Sequence, residues 1–342
     1  MLFILSALSD YVRLLVMKLF IIFISLLPSL AFAATELLNV SYDVTREFYK
    51  ELNPAFVKYW KDKTGETVVV KQSHGGSSKQ AGAVVGGLEA DVITMNRAPD
   101  IDILYEKAKL IPKDWAKRLP NTSAPTASTS VFLVRKGNPK KIQDWNDLIK
   151  PNVSVIIPNP KTSGNGKYSY LAAWGYVLKS GGSDAEAKAF VTKLFKNVPV
   201  LDTGGRGATT TFAQRGIGDV LLTFENEVAL IKEELGADNF EVIYPPRSIL
   251  AENPIALVDK VVDKKKSRTV AQAYLDFHYS EQGQAIAAQH HLRPQVPAAV
   301  VKYQSRFPVI SLFSVEELFG SWANAEKIHF VDGAIFDQIY LK

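Results

Sequence analysis

Four short stretches of the chain place small residues and hydroxyls where a strand runs into a helix. They are SYDVTRE (41–47), SHGGSSKQ (73–80), KTSGNGKY (161–168) and DTGGRGATTTF (202–212). A helix start carries backbone N–H groups with no intrahelical acceptor and a partial positive charge, so it suits an anion. Glycine lets the backbone approach closely, and Ser or Thr adds hydroxyl donors. One such loop is ordinary turn chemistry. Four in one chain point to convergent anion binding.

KTSGNGKY invites comparison with the nucleotide phosphate loop G-x-x-x-x-G-K-[ST]. The match fails twice: Lys161 stands five residues before Gly166, where Gly is required, and Tyr168 stands where a metal-binding Ser or Thr must follow Lys167. DTGGRG carries Gly204 and Gly207 but lacks the full dinucleotide fingerprint. Other catalytic templates fare no better. The chain has no cysteine, which removes thiol nucleophiles and thiolate metal sites. Of the five histidines, His290 and His291 are adjacent, so on a helix they point about 100° apart and cannot share a metal. His278 and His329 read as surface or packing residues, and His74 as a structural loop residue. No G-x-S-x-G elbow occurs, and no carboxylate pair is spaced for acid–base work. The expected chemistry is binding, without catalysis, metal or cofactor.

The elements that must position these loops follow from periodicity. Apolar runs at LLNVS (37–41), TVVVKQ, ADVITM, SVFLVR, VSVIIP, DVLLTF, FEVIYP and IALVDK read as strands. Helical patterns lie between them, among them SKQAGAVVGGL, YSYLAAWGYVL and DAEAKAFVTKLF. Phe48, Leu52, Phe56 and Trp60 recur every fourth residue, with a break or kink expected at Pro54. Continuous apolar strands separated by helices give an α/β architecture with parallel sheet content. Two Pro-rich passages, 118–130 and 245–254, read as crossings between two lobes. The alternative is one large sheet with two surface loops.

The 342 residues are ample for two core-bearing lobes. Charges of both signs are interspersed to a net +5, with no basic arm, so nucleic acid is not an expected partner. Near the N-terminus, Met17-Lys18 precedes the apolar run LFIIFISLL (19–27) and Ala31-Phe32-Ala33. This predicts a secretory signal over 1–33 with cleavage after Ala33, and hence a periplasmic protein.

The motifs SYDVTRE, VVVKQSHGGS, VFLVRKGNPK, DWNDLIKP, NPKTSG, YLAAWGY, GGRGATTTF and GIGDVLLTFENE together resemble the periplasmic sulfate/thiosulfate-binding proteins of ABC importers. The likeness runs from about Leu37 to Phe336. It implies a two-lobed, type II periplasmic-binding-protein fold with two hinge crossings, each lobe a mostly parallel sheet flanked by helices. Lobe 1 would comprise 34–120 and 255–310 and lobe 2 125–249, with 311–342 a C-terminal helical segment assigned to neither. The ligand would be sulfate or thiosulfate, the partner a membrane ABC permease, and the receptor a monomer. Phosphate or molybdate carriers are the neighbouring alternative, and an exported phosphate- or sulfate-ester hydrolase the alternative from another class.

Position by position, the resemblance places anion donors at the main-chain N–H of Asp43, at Ser77, at the Ser163 hydroxyl, and at the N–H groups of Gly164, Asn165 and Gly205. Lys167 and Arg206 would brace their loops without touching the ligand. Selectivity for sulfate over phosphate would come from a pocket of donors alone, with the Asp43 carboxylate turned away to cap the following helix. Two departures stand out. Phe224 occupies a position where sulfate-specialised members have Trp, which removes an indole donor and opens the site to thiosulfate. Gly166-Lys167 replaces a frequent Ala-Arg.

Overall fold

Val92 and Ile93, adjacent on one strand, are both fully buried yet belong to different hydrophobic clusters. A sheet covered on both faces requires this, because successive side chains point to opposite sides. The computed structural model describes residues 34–340, so the signal expected over 1–33 lies outside the described residues.

The first lobe begins with β1 (Thr35–Tyr42), α1 (Arg46–Thr64), β2 (Val68–Gly75), α2 (Ser77–Val85), β3 (Val92–Thr94) and α3 (Ala98–Ala108). β1 lies between β2 and β3 and runs parallel to both. The chain then crosses into β4 (Thr126–Arg135), β5 (Val155–Pro158), α4 (Gly164–Lys179), α5 (Asp184–Lys196), β6 (Leu201–Asp202), α6 (Gly205–Thr209), β7 (Val220–Phe224), α7 (Glu225–Leu235), β8 (Phe240–Ile243) and β9 (Arg247–Asn253). It returns through β10 (Ile255–Leu257), antiparallel to β3. In the second lobe β5 runs parallel to β6 and β7, whereas β4 is antiparallel to β7, β8 and β9.

The two crossings lie side by side: Thr126 of β4 opposes Asn253 of β9. Just before them, Asn121, Thr122 and Ser123 all have positive φ, a costly left-handed turn for non-glycine residues. β9 falls in PPRSILAENP, which sequence alone presents as a linker. It is a strand because Ser248, Ile249, Ala251 and Asn253 are buried along it. The segment that sequence assigned to neither lobe packs on the second: β11 (Ser311–Phe313) pairs parallel with β9, and Trp322, Phe330, Phe336 and Ile339 join the cluster of Phe132, Trp145 and Trp174.

Period-two burial recurs in lobe 2. Phe132 and Val134 face this cluster, while Val131 and Leu133 face Phe212, Ile231 and Phe240 on the other side. Each such side chain contributes about 1.5–3 kcal/mol of burial. The break expected at Pro54 does not occur. α1 continues through it, with Phe48, Leu52, Phe56 and Trp60 buried along one face and Pro54 itself exposed. The apolar stripe holds the helix to the sheet across the one hydrogen bond that proline cannot make.

Candidate functional site

The loops that follow β1, β2, β3, β5 and β6 meet the last residue of β7 at a cavity of about 40 Å³. All seven residues singled out from the sequence line it: Asp43, Ser77, Ser163, Gly164, Asn165, Gly205 and Phe224. The volume suits one small ion, against the roughly 300–1,000 Å³ of sites for larger organic ligands. Wider grooves of about 610 and 390 Å³ lie around Trp174–His329 and Tyr176–Phe190, away from these loops.

From lobe 2, Ser163 is the N-cap of α4, and its Oγ accepts from Gly166 N at 3.3 Å. Its own proton has no acceptor among the described residues. Gly164 and Asn165 are the first two helical residues, whose N–H groups have no intrahelical acceptor. Gly205 opens α6 after the extended Gly204. Phe224 ends β7 with 2% of its surface exposed, its ring 5.7 Å from that of Tyr168 in an edge-to-face contact. It both packs the core and walls the cavity.

From lobe 1, Asp43 opens a single turn (Asp43–Thr45) fixed by Thr45 Oγ1, which donates to the Tyr42 carbonyl at 2.7 Å. Neither this turn nor α1 has a side-chain cap. The expected capping role of the Asp43 carboxylate is therefore not realised. Ser77 is the first residue of α2, and its Oγ donates to Asp100 Oδ2 at 2.6 Å. With that hydroxyl proton committed, Ser77 offers its N–H.

Among the described residues, no lysine, arginine or histidine lines the cavity. Arg206 pairs with Glu234 at 3.3 Å, and Lys167 donates to Glu326 at 2.7 Å. The ionisable group behind the donor loops is a buried side chain, Glu227. It accepts from Thr223 Oγ1, from Thr209 Oγ1 at 3.1 Å and from Asn165 Nδ2 at 3.0 Å. Burial pushes its pKa up, the Thr223 and Thr209 hydroxyls oppose this, and Asp43 adds to it. A Cβ on Gly205 would stand 3.0 Å from both Glu227 oxygens, closer than side-chain contacts normally come, so any larger residue there must displace the Glu227 carboxyl.

Sequence reasoning left out six lining residues. Val44, Gly76, Thr162, Thr203 and Gly204 fall inside the four loops already marked. Asn96 does not. It sits between the ADVITM strand and the Ala98-Pro99 helix start, in a junction with no glycine to draw notice. Its Oδ1 is buried without a hydrogen-bond partner among the described residues. A Cβ on Gly164 would come within 2.6 Å of that atom. The histidines are dispersed: His290 faces Glu51 at 2.8 Å, while burial lowers the pKa of His278 and His329 to about 4.

Two α/β lobes, joined by paired strands around a small cavity rimmed by helix and turn starts, have the architecture of a solute-binding protein. The chain belongs to the family of bacterial extracellular solute-binding proteins, whose model matches residues 37–293. It is 62% identical over 310 residues to the thiosulfate-binding protein of Pseudomonas aeruginosa, covering 91% of this chain and 93% of that one. It is 56% identical over 305 residues to the sulfate-binding protein of Escherichia coli, covering 89% and 92% respectively. Among solved structures, the sulfate-binding protein SubI of Mycobacterium tuberculosis superposes with a TM-score of 0.78 at 33% identity, over 87% of this chain and all of that one.

Proposed function

We propose that this protein is a periplasmic receptor that binds sulfate or thiosulfate between its lobes, as a monomer, and delivers it to a membrane ABC importer. The observation that carries the reading is the donor set. N–H groups at four helix or turn starts and the Ser163 hydroxyl proton surround a cavity sized for one ion, with no cationic side chain in its lining among the described residues. The names of the relatives support the same ligand class. Hydrogen bonds to a charged group contribute about 1.5–3 kcal/mol each. Roughly half a dozen can offset dehydration of the anion and leave about 8 kcal/mol, on the order of micromolar affinity.

A specific observation favours a second ligand. The Asp43 carboxylate caps no helix, and the Asn96 amide has an unpartnered oxygen, so the lining holds groups able to accept a proton from hydrogen phosphate. Calorimetry against sulfate, thiosulfate, phosphate and molybdate separates the two readings. Expected is one site per chain, with phosphate at least about tenfold weaker than the better sulfur oxyanion. Tight phosphate binding with neither sulfur oxyanion bound would reverse the assignment. Turnover of a chromogenic phosphate or sulfate ester by metal-replete protein would end the non-catalytic reading.

Phe224 sets the balance between the two sulfur anions in this reading. Trp in its place adds an indole N–H, and sulfate oxygens accept it better than the softer thiosulfate sulfur. Phe224→Trp is expected to shift the sulfate-to-thiosulfate affinity ratio toward sulfate by about tenfold, the value of one charge-assisted hydrogen bond less some crowding against Tyr168. An unchanged ratio in paired titrations would reduce Phe224 to a packing residue.

A further inference from the structure

Lys167 braces something more distant than its own loop. From the first turn of α4 its Nζ donates to both Glu326 oxygens at 2.7 Å. Glu326 follows Trp322–Ala325 in the C-terminal segment that packs on lobe 2. The same carboxylate also accepts from Nη1 of Arg97, which immediately precedes α3 of lobe 1. Arg97 grips Asp100 with its remaining nitrogens, Nη2 to Oδ1 at 2.6 Å and Nε to Oδ2 at 3.2 Å. Asp100 Oδ2 in turn accepts from Ser77 Oγ. An unbroken polar chain therefore runs from Ser77, at the lobe 1 edge of the anion cavity, through Asp100, Arg97 and Glu326 to Lys167, just beyond Ser163 on the lobe 2 edge.

We propose that Glu326 is a positioning residue of the anion site, a clamp across the lobes that slows release of the bound ligand. The clamp rests on the receptor reading given above. Arg97 keeps Asp100 and Lys167 keeps Glu326 when the lobes part; the contact that opening must break is Arg97 with Glu326. The Arg97 side chain is only 5% exposed, and its guanidinium lies 5.4 Å from the Trp322 ring, also across the lobes. Separating this pair, whose Glu326 side chain is 25% exposed, leaves the buried Arg97 cation without its second partner until water reaches it. Ligand enters an open form in which this contact does not exist, so the clamp acts on the dissociation rate and leaves the association rate nearly unchanged.

The test uses purified wild-type, Glu326→Gln and Lys167→Met proteins with sulfate and thiosulfate, read by tryptophan fluorescence in stopped flow, with small-angle scattering on the ligand-free forms. Glu326→Gln is expected to raise the dissociation rate about tenfold with less than a twofold change in the association rate, and to enlarge the ligand-free radius of gyration. Lys167→Met leaves the Arg97–Glu326 contact in place and is expected to change the dissociation rate less. A merely structural role lowers the melting temperature without separating the two rates. Equal dissociation rates and superimposable scattering curves for folded wild-type and Glu326→Gln proteins overturn the clamp. A wild-type protein that binds neither anion overturns the receptor reading instead, and the scattering comparison then still decides the clamp.

Discussion

Arg97→Met is expected to lower the free energy of unfolding by about 3–5 kcal/mol, the cost of stripping one partner from a buried ion pair. Asp100 is 3% exposed and Arg97 4%, so the carboxylate left behind would keep only the hydroxyls of Ser77 and Ser78. In the wild type, burial pushes the Asp100 carboxyl up, but Arg97 and the two hydroxyls outweigh it and hold its pKa below the ordinary value. A depressed folded-state pKa stabilises the protein above the unfolded pKa near 4, and that stability is lost as the pH falls through the folded value. Arg97→Met removes the largest favourable contribution to this depression. The variant's deficit is therefore greatest at neutral pH and narrows below about pH 4. Urea unfolding at pH 7 and at pH 3.5 checks both statements through the midpoint at constant m. A loss under about 1 kcal/mol at pH 7 would show that water or a repacked neighbour replaces the guanidinium. Glu326→Gln leaves the Arg97–Asp100 fork intact and should cost much less stability, which separates the clamp from the core pair.

The fold was largely legible because its strands are buried on both faces. Runs such as VFLV and VIIP cannot sit at a surface, and each became a strand with alternate residues in different clusters. β9 was not legible: the prolines that flank it and its polar residues describe a linker, and pairing with β4 and with Ser311–Phe313 makes SILAEN a strand. The C-terminal segment was ambiguous for a related reason. Its aromatic residues mark a core without saying whose, and the answer depends on Phe313 and Trp322 meeting α4 and β9, more than sixty residues away in sequence. Pro54 shows propensity overridden by tertiary packing, since the stripe from Phe48 to Trp60 outweighs one missing hydrogen bond.

The site was legible where it is made of backbone. Small and hydroxyl residues at strand ends marked four loops, and these supply every described cavity residue except Asn96 and Phe224. Phe224 came from the resemblance, and Asn96 from the structure alone. What sequence could not give was the use of each side chain. Ser77 and Ser163 are both serines at helix starts. Yet the Ser77 hydroxyl is committed to Asp100, 23 positions away, whereas the Ser163 hydroxyl accepts from its own helix and keeps its proton. The second tier was hidden for the same reason. Glu227 looks like any helical glutamate until Thr209, Thr223 and Asn165 are folded around it.

Ser163 therefore carries the sharpest consequence for binding. Ser163→Ala removes the hydroxyl that the proposed reading gives to the anion and the N-cap acceptor for Gly166 N in one step. Loss of the donor is expected to weaken sulfate binding by about 10- to 100-fold, corresponding to about 1.5–3 kcal/mol for a hydrogen bond to a charged group. Loss of the cap is expected to cost about 1 kcal/mol of stability, small for a chain whose cores hold dozens of buried apolar side chains. Thr caps helices nearly as well and keeps a proton to donate, so Ser163→Thr should retain the cap and recover most of the affinity. Ser77→Ala makes the contrasting case. Its hydroxyl serves Asp100 and its N–H survives the substitution, so affinity should fall by no more than a few-fold. Calorimetry with matched thermal melts decides between the two serines. Equal losses of affinity would mean that the Ser77 hydroxyl leaves Asp100 to join the ligand. A Ser163→Ala protein that binds as the wild type does would move the anion off the α4 terminus altogether.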